Sequence, residues 1–193
     1  MKATELDVLA LLRDSGALKE GHFLLSSGLH SPAYVQCALL LQDAYLAHRV
    51  GDALAQRLAR LEPESVLAPA LGGLIIGHET AAELGVPMRF TEREDGKMTL
   101  RRGFELTPGE RLVVVEDVVT TGRSTREVID VAEEKGAKVI AVAAILNRSG
   151  DPAGPFGGIP FHALADLTLP TWPPDDCPLC AAGGAAEKPG SRE

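Results

Sequence analysis

Apolar positions along this chain follow two periods, which predict helices and strands in turn. Residues 43–61 place an apolar side chain at every fourth position, the period of a helix with one buried face. Residues 65–68 and 138–146 are almost wholly apolar, as expected of strands covered on both faces. The predicted elements are helices over 4–14, 43–61, 74–84 and 126–136, and strands over 23–35, 65–68, 86–93, 97–102, 112–115, 138–146 and 159–164.

Strand–helix alternation through residues 65–146 predicts an α/β fold with a mainly parallel central sheet flanked by helices. Asp95-Gly96 lies between two strand-like runs, a strong signal for a two-residue hairpin, so a protruding β-hairpin is expected over 91–103. Residues 171–193 are rich in Pro, Gly and Ala, which predicts a loose C-terminal tail. Within the N-terminal part, Thr4 is the predicted helix cap, and turns are predicted at Ser26-Ser27-Gly28 and Ser31-Pro32.

The most informative stretch is residues 112–125, where an apolar run leads into Glu116-Asp117 and then a hydroxyl-rich turn. Ligands of parallel sheets bind in the crevice beyond the carboxyl ends of the strands, where this acidic pair is expected. Carboxylates repel phosphate but suit the hydroxyls of a ribose, or a metal ion bridging to it. The pair is therefore a candidate sugar site.

A phosphate site is predicted next, at the Thr120–Thr125 turn. Free N–H groups at the start of the following helix attract anions, and Gly122 lets the backbone approach closely. An acid pair followed by a phosphate turn suits a ribose 5-phosphate group. The alternative is that Ser124 and Glu127 form a capping box and that the acids are a solvated strand end.

Composition narrows the class of protein. The chain has 193 residues, enough for one substantial core, and we expect one domain over 1–170. Its formal charge of −8 argues against a general nucleic-acid binder. We find no apolar run long enough to span a membrane, no export signal and only three cysteines, so a cytoplasmic protein is expected. The usual loops of nucleoside triphosphatases and dinucleotide-binding folds are absent from the sequence.

The stretch Val114–Thr125 resembles the signature of type I phosphoribosyltransferases, which use 5-phosphoribosyl 1-diphosphate (PRPP). The resemblance implies that fold, a PRPP site, and Mg²⁺ carried by PRPP rather than held directly by protein side chains. The signature residues implied to bind PRPP are Glu116, Asp117, Val118, Val119, Thr120, Thr121, Gly122, Arg123 and Ser124. Asp117 is also implied to act in catalysis, by stabilising positive charge that develops on the ribose.

Pyrophosphate, the leaving group, needs a second anion site. The turn Pro69–Gly73 lies between a predicted strand and a predicted helix, and Leu71 and Gly72 are expected to contact PRPP there. In these transferases the equivalent turn often contains a strained peptide bond. The hairpin over 91–103 is either a solvated edge or a lid that brings Arg93 and Lys97 to the departing pyrophosphate as catalytic cations.

The segment Gly21–Val35 resembles the N-terminal hood of orotate phosphoribosyltransferases, and we place the hood mostly within residues 15–40. The resemblance implies that Ser27 and Gly28 bind orotate, that Thr120 reaches the pyrimidine, and that the lid crosses to the partner of a homodimer. Arg148, after the strand that follows the signature helix, is implied to pair with the orotate carboxylate, since a guanidinium suits a planar carboxylate.

Some positions depart from the family pattern. Many relatives have Lys where Ser26 stands, a bulky residue plus Lys where Leu71-Gly72 stands, and a Lys-Asp-His lid. Cys177-Pro-Leu-Cys180 has metal-ligand spacing, and the tail resembles that of one branch of the family. Zinc would need two further ligands, from a symmetry mate or a histidine, so we expect reduced thiols or a disulfide. In sequence the histidines form no ligand spacing: these are His22, His30, His78 and His162.

The hypothesis is an enzyme that converts orotate and PRPP to orotidine 5′-monophosphate and pyrophosphate. Two alternatives remain open. A purine phosphoribosyltransferase would have no need of Arg148 as a carboxylate partner. A PRPP-sensing regulator without turnover would need a nucleic-acid surface, which the acidic charge balance disfavours.

Overall fold

The computed structural model describes residues 6–25 and 27–189, which form eight strands, six α-helices and two short 3₁₀ helices. The strands are β1 (Leu18–Leu24), β2 (His30–Val35), β3 (Ser65–Pro69), β4 (Met88–Glu94), β5 (Lys97–Leu100), β6 (Arg111–Val119), β7 (Lys138–Asn147) and β8 (Phe161–Asp166). The helices are α1 (Val8–Asp14), α2 (Ala38–Leu41), α3 (Ala44–Leu58), α4 (Gly72–Leu84), α5 (Arg123–Glu134) and α6 (Pro178–Ala181), and the 3₁₀ helices are Ala59–Leu61 and Pro174–Asp176.

Six strands form the central sheet, in the order β5-β4-β3-β6-β7-β8. All neighbours are parallel except β4 and β5, which form an antiparallel hairpin at one edge. The predicted α/β fold with a mainly parallel sheet is confirmed. Strand β6 is central, and Val113, Val114 and Val115 are fully buried, because helices cover both faces of the sheet.

Two apolar layers hold the helices on the sheet. On one face, Val50, Leu54 and Leu58 of α3 pack in a cluster that includes Val113 of β6, and all four side chains are fully buried. On the other face, Val114 lies in a cluster with α5 side chains such as Val128 and Ala132. Alternate residues of β6 therefore face different helices, which fixes the position of the loops that follow the strand.

The N-terminal strands form a separate two-stranded hood. β1 and β2 pair antiparallel, and Ser31 and Pro32 lie inside β2, so the predicted turn at these residues is wrong. The turn between the strands contains Gly28 with a φ of +81°. Ser26, where relatives often have Lys, lies outside the described residues, and so does Thr4; the first helix is instead capped by Asp7, whose carboxylate accepts a hydrogen bond from Ala10 N at 2.9 Å.

Residues 171–189 are not loose. Trp172 and His30 exchange backbone hydrogen bonds of 2.8 and 3.0 Å, and Leu24 N donates to Glu187 O at 2.8 Å. The C-terminal segment thus extends both edges of the hood, and the prediction of a loose tail is wrong for this part of the chain. The Pro- and Gly-rich composition of this segment cannot form a core of its own, which is why the sequence predicted a loose tail. The segment is ordered because its backbone forms hydrogen bonds with the outer edges of the two hood strands.

The hairpin turn is built as predicted, with Asp95 and Gly96 at φ values of +50° and +82°. Because β4 pairs with β3, the hairpin continues the central sheet and is not a separate arm. The first residues after β6 also differ from prediction: α5 begins at Arg123, one turn earlier than the expected Arg126. Within the described residues, every helix is too short or too polar to cross a membrane.

Candidate active site

The acidic pair lies where the sheet opens. Leu67 of β3 pairs with Val114 of β6, so continuing this register places Pro69, the last residue of β3, beside Glu116. β6 itself runs on to Val119 along β7. The carboxylates are therefore inside β6, not at its end as predicted, and they border a crevice that forms because β3 stops earlier. This is the switch-point position expected for a ligand site in an α/β sheet.

Glu116 is only 7% exposed, and Asp117 is half-buried. Burial raises the pKa of the Glu116 carboxyl well above its ordinary value, and the neighbouring Asp117 carboxylate raises it further. Asp117 Oδ1 accepts a hydrogen bond of 2.8 Å from Val118 N. The pair is thus a buried acid beside a more accessible one, a set of oxygens suited to sugar hydroxyls or a hard cation.

The turn from β3 into α4 packs directly against Asp117. A Cβ atom on Gly72 would lie 2.7 Å from Asp117 Oδ1, so any side chain there would require the carboxylate or the helix start to move. The peptide bond between Ala70 and Leu71 is cis, at the turn where the resemblance pointed to an unusual peptide. Leu71 precedes the helix without a side-chain cap, and it is 82% exposed. The first N–H groups of α4 therefore lie beside the acids and lack intrahelical partners.

A second helix begins on the other side of the acids. Gly122, with a φ of +69°, precedes α5 and supplies no side-chain cap. A Cβ atom there would lie 2.5 Å from Pro155 Cγ, so the turn is held against the 151–158 loop. Thr120, Thr121, Arg123 and Ser124 are exposed around this helix start. Their hydroxyls and the N–H groups of the first turn are therefore exposed together, an arrangement that can bind an anion.

The capping-box alternative is wrong. Ser124 is the second residue of α5, not its cap, and the Glu127 carboxylate binds Arg93 and Arg123 instead of the helix start. Partial burial favours a higher pKa for Glu127, but the hydrogen bonds from Arg93 and Arg123 outweigh it and hold the pKa below its ordinary value. The Arg93–Glu127 pair was not predicted from sequence, because the two residues are 34 positions apart along the chain.

The two predicted hairpin cations differ in their contacts. Arg93 binds Glu127 and also donates to Gly96 O at 2.9 Å, so it fastens the hairpin to the first turns of α5. Lys97 is exposed and forms no salt bridge with any acid of the described residues. Arg101 and Arg102 both pair with Glu92. Of the two candidates, only Lys97 is free to meet an added anion without losing an ion pair.

Arg148 follows β7, at the edge of the sheet where β6 ends at Val119. Its backbone N donates to Val119 O at 2.7 Å, which places it next to Thr120. Nε of Arg148 is buried and has no hydrogen-bond partner among the described residues. Burial lowers the pKa of its guanidinium, while Tyr34 of the hood favours the charged form, and a guanidinium stays protonated in proteins. A buried donor without an acceptor is the expected state of a site that receives a carboxylate.

Two residues near Arg148 were missed in the sequence. Asn147 braces the loop: its Nδ2 donates to Asp166 Oδ1 at 2.6 Å and to Asp151 O at 3.0 Å. Its position at the end of a buried strand was the available signal. Tyr34 lies on β2 of the hood, and the fold brings it near Arg148, a contact that no local sequence pattern indicates. Ser27 and Gly28 make no hydrogen bond to Arg148 or Thr120 within the described ranges, so their contact with a base stays a prediction.

Comparisons with known proteins agree with this geometry. A family model for the phosphoribosyl transferase domain matches residues 40–154. An orotate phosphoribosyltransferase of Thermotoga maritima is 50% identical over 182 residues, which cover 94% of this chain and 96% of the relative. One from Carboxydothermus hydrogenoformans is 47% identical over 190 residues, covering 97% and 98%. The chain belongs to the orotate phosphoribosyltransferase family.

A solved structure supports the same fold. The crystal structure of orotate phosphoribosyltransferase from Aeropyrum pernix matches with a TM-score of 0.70 at 30% identity, covering 83% of this chain and 93% of that one. The type I fold expected from the signature is therefore confirmed for this member of the orotate phosphoribosyltransferase family.

The histidines require a correction. His22 and His30, which form no ligand spacing in sequence, lie together with Cys177 and Cys180, and their potential ligand atoms are all within 4.8 Å of one another. The physical reason is the pairing of the hood strands, which places the two histidines side by side, and the return of the C-terminal segment over them. This cluster lies outside the acidic crevice described above.

Proposed function

We propose that this protein transfers the phosphoribosyl group of PRPP to orotate, giving orotidine 5′-monophosphate and pyrophosphate in pyrimidine synthesis. The observation that carries the proposal is the placement of Glu116 and Asp117 between the starts of α4 and α5. A ribose carries a phosphate at one end and pyrophosphate at the other. Two uncapped helix starts on either side of an acid pair match those three groups.

In the reaction, the bond between ribose C1 and the pyrophosphate oxygen breaks, and its electron pair leaves on the oxygen. The orotate ring nitrogen forms the new bond to C1 as it gives up its proton. Asp117 and Glu116 hold the ribose hydroxyls and stabilise the positive charge that develops nearby. The rate acceleration comes mainly from substrate positioning and electrostatic stabilisation, because charge develops at both ends of the breaking bond.

The remaining contacts with PRPP follow the chain. The 5-phosphate binds the helix start after β6, where the backbone from Val118 to Ser124 surrounds it. Pyrophosphate binds the turn into α4, through Leu71 and Gly72. Mg²⁺ arrives with PRPP as part of the substrate and neutralises pyrophosphate charge. Lys97, exposed and without an acidic partner in the described chain, reaches the departing pyrophosphate when the hairpin closes, and Arg93 follows if its pair with Glu127 opens.

Orotate binds on the side of Arg148. The unpartnered guanidinium receives the carboxylate, and Thr120 contacts the pyrimidine ring. Ser27 and Gly28 of the hood turn complete the base site. We also propose a homodimer in which the hairpin reaches the partner's site. Exposed apolar Leu71 and Ile75 beside the crevice support a covering surface, and three free cysteines suit a reducing cytoplasm.

A base panel tests the proposal. Purified protein with PRPP and Mg²⁺ is incubated separately with orotate, uracil, adenine and xanthine, and pyrophosphate release is measured. We expect turnover with orotate only. Turnover with adenine or xanthine but not orotate would favour the purine transferase, and PRPP binding without turnover on any base would favour the regulator. A variant with Asp117→Asn serves as the negative control for the acid pair.

A further inference from the structure

Four side chains from the two ends of the chain meet at the edge of the hood. His22 Nε2 lies 2.8 Å from His30 Nδ1, 3.5 Å from Cys177 Sγ and 3.8 Å from Cys180 Sγ. Cys180 Sγ is also 3.3 Å from His30 Nδ1. His30 and Cys177 are buried, and the other two are partly buried. The described part of the chain contains no disulfide, and both cysteines are free thiols.

The hydrogen bonding of His22 orients one ring nitrogen toward this cluster. Its Nδ1 lies 3.0 Å from the carbonyl oxygen of Gly184. A carbonyl only accepts, so Nδ1 carries the proton and Nε2 presents its lone pair to His30 and the two sulfurs. This is the arrangement in which proteins hold a metal-binding histidine, with the second ring nitrogen fixed by a backbone carbonyl.

The spacing of the four atoms suits a tetrahedral metal. Zinc–sulfur bonds of about 2.3 Å and zinc–nitrogen bonds of about 2.0–2.1 Å put neighbouring nitrogen and sulfur ligands roughly 3.5 Å apart. The three observed nitrogen–sulfur distances, 3.3, 3.5 and 3.8 Å, bracket that value. The two histidine nitrogens, 2.8 Å apart, would separate by about half an ångström around the ion.

We propose that His22, His30, Cys177 and Cys180 form a structural Zn²⁺ site that fastens the C-terminal segment to the hood. Two thiolates and two imidazoles at tetrahedral spacing favour zinc among the common divalent ions. Four protein ligands leave no open position for a water or a substrate, so the site serves stability and not catalysis. The Cys-x-x-Cys pair supplies two ligands from one short turn, and β1 and β2 supply the other two.

The site has a consequence for the hood. His22 and His30 flank the turn that carries Ser27 and Gly28. The two strands on either side of this turn form backbone hydrogen bonds with the C-terminal segment, β1 with Glu187 and β2 with Trp172. Zinc would therefore hold both strands at the base of this turn. Loss of the ion is expected to release residues 172–187 and loosen the hood, while the central sheet keeps its own core.

Metal content tests the proposal on the full-length protein, purified without metal-affinity chromatography and under reducing conditions. We expect about one zinc per chain by elemental mass spectrometry, and at least a tenfold loss in the Cys177→Ser/Cys180→Ser variant. His78→Asn, which changes an exposed histidine, and Cys37→Ala, which removes the remaining cysteine, are matched controls that keep the ion. Wild-type protein that neither contains zinc nor binds added Zn²⁺ stoichiometrically would overturn the site.

Two further measurements do not depend on how well the variants fold. Wild-type protein stripped of metal and titrated with Co²⁺ should show the thiolate charge-transfer and tetrahedral ligand-field absorption of a two-cysteine, two-histidine site at one ion per chain. Limited proteolysis should cut the 172–187 segment faster after chelation. A Cys177–Cys180 disulfide in protein prepared without oxygen, or an octahedral cobalt spectrum, would contradict the proposal. Neither result would bear on turnover in the base panel, so the two proposals fail separately.

Discussion

Gly72 rests against Asp117 so closely that an added Cβ atom would lie 2.7 Å from the carboxylate oxygen Oδ1. This contact joins the start of α4 to the acid pair, the two parts of the crevice that we propose bind pyrophosphate and the ribose. The position of one site thus fixes the position of the other.

Gly72→Ala should displace either Asp117 or the start of α4. We expect kcat/KM for PRPP to fall by about 10- to 100-fold, because a shift of this size at a positioning group is felt in the reaction. The matched control is Gly109→Ala: Gly109 has a φ of +84° and no atom near its added Cβ. That variant should lose about 1 kcal/mol of stability and keep its kinetics. Equal kinetics for both variants would show that the Gly72 contact is unimportant.

Arg148→Ala should raise KM for orotate by about 10- to 100-fold, the size of a lost hydrogen bond to a charged group. KM for PRPP should change little, because the Arg148 side chain is not among the groups that we propose contact PRPP. Steady-state kinetics with each substrate varied gives both values. Arg148→Lys should recover only part of the loss, since an ammonium cannot form the paired contact. Arg60→Ala, an exposed arginine on the 3₁₀ helix after α3, is the control; equal increases in both KM values for Arg148→Ala would rule out the carboxylate role.

Lys97→Ala should lower kcat by about 100-fold if the lysine stabilises departing pyrophosphate, a typical cost for one preorganised donor. PRPP affinity, measured by calorimetry, should change far less, because the interaction forms in the transition state. Arg93→Ala should instead loosen the hairpin, since it removes the pair with Glu127. Lys138→Ala, an exposed lysine at the start of β7, is the control. A Lys97→Ala variant with unchanged single-turnover rate would remove this residue from catalysis.

The buried Glu116 carboxyl predicts a pH-dependent stability. Its pKa is raised in the folded state, chiefly by burial, so the folded protein binds this proton more tightly than the unfolded chain does. The ionisation of Glu116 therefore does not affect the free energy of unfolding at a pH below the pKa of this carboxyl in the unfolded chain. As the pH rises through its pKa in the folded protein, ionisation lowers the free energy of unfolding. Glu116→Gln, which mimics the protonated acid, should be more stable than wild type at about pH 8 and should lose most of that advantage at about pH 4.

Denaturant unfolding of both proteins at the two pH values measures this difference. The same substitution should reduce turnover, because an amide stabilises positive charge on the ribose less well than a carboxylate. Active-site residues of enzymes commonly lower the stability of the fold while they increase the rate of the reaction. A stability difference that is independent of pH would mean that Glu116 does not titrate between these values.

The structure also explains why the hairpin prediction was only partly right. Asp95-Gly96 determined the turn locally, because both residues tolerate positive φ. The edge position of the hairpin in the central sheet depends on β4 pairing with β3, a contact between segments about 20 residues apart. The Arg93–Glu127 pair depends on that placement as well, so neither could be predicted from local sequence.

The sequence alone determined the α/β architecture, the acid pair followed by an exposed hydroxyl-rich turn at a helix start, and the buried faces of α3 and β6. These features depend on periodicity and on short turns, which act within a few residues. Only the tertiary structure decided the contact of Gly72 with Asp117, the burial of the Arg148 guanidinium near Tyr34, and the meeting of His22 and His30 with Cys177 and Cys180. Each of these joins residues from distant segments, and chain topology, not local propensity, brings such residues together.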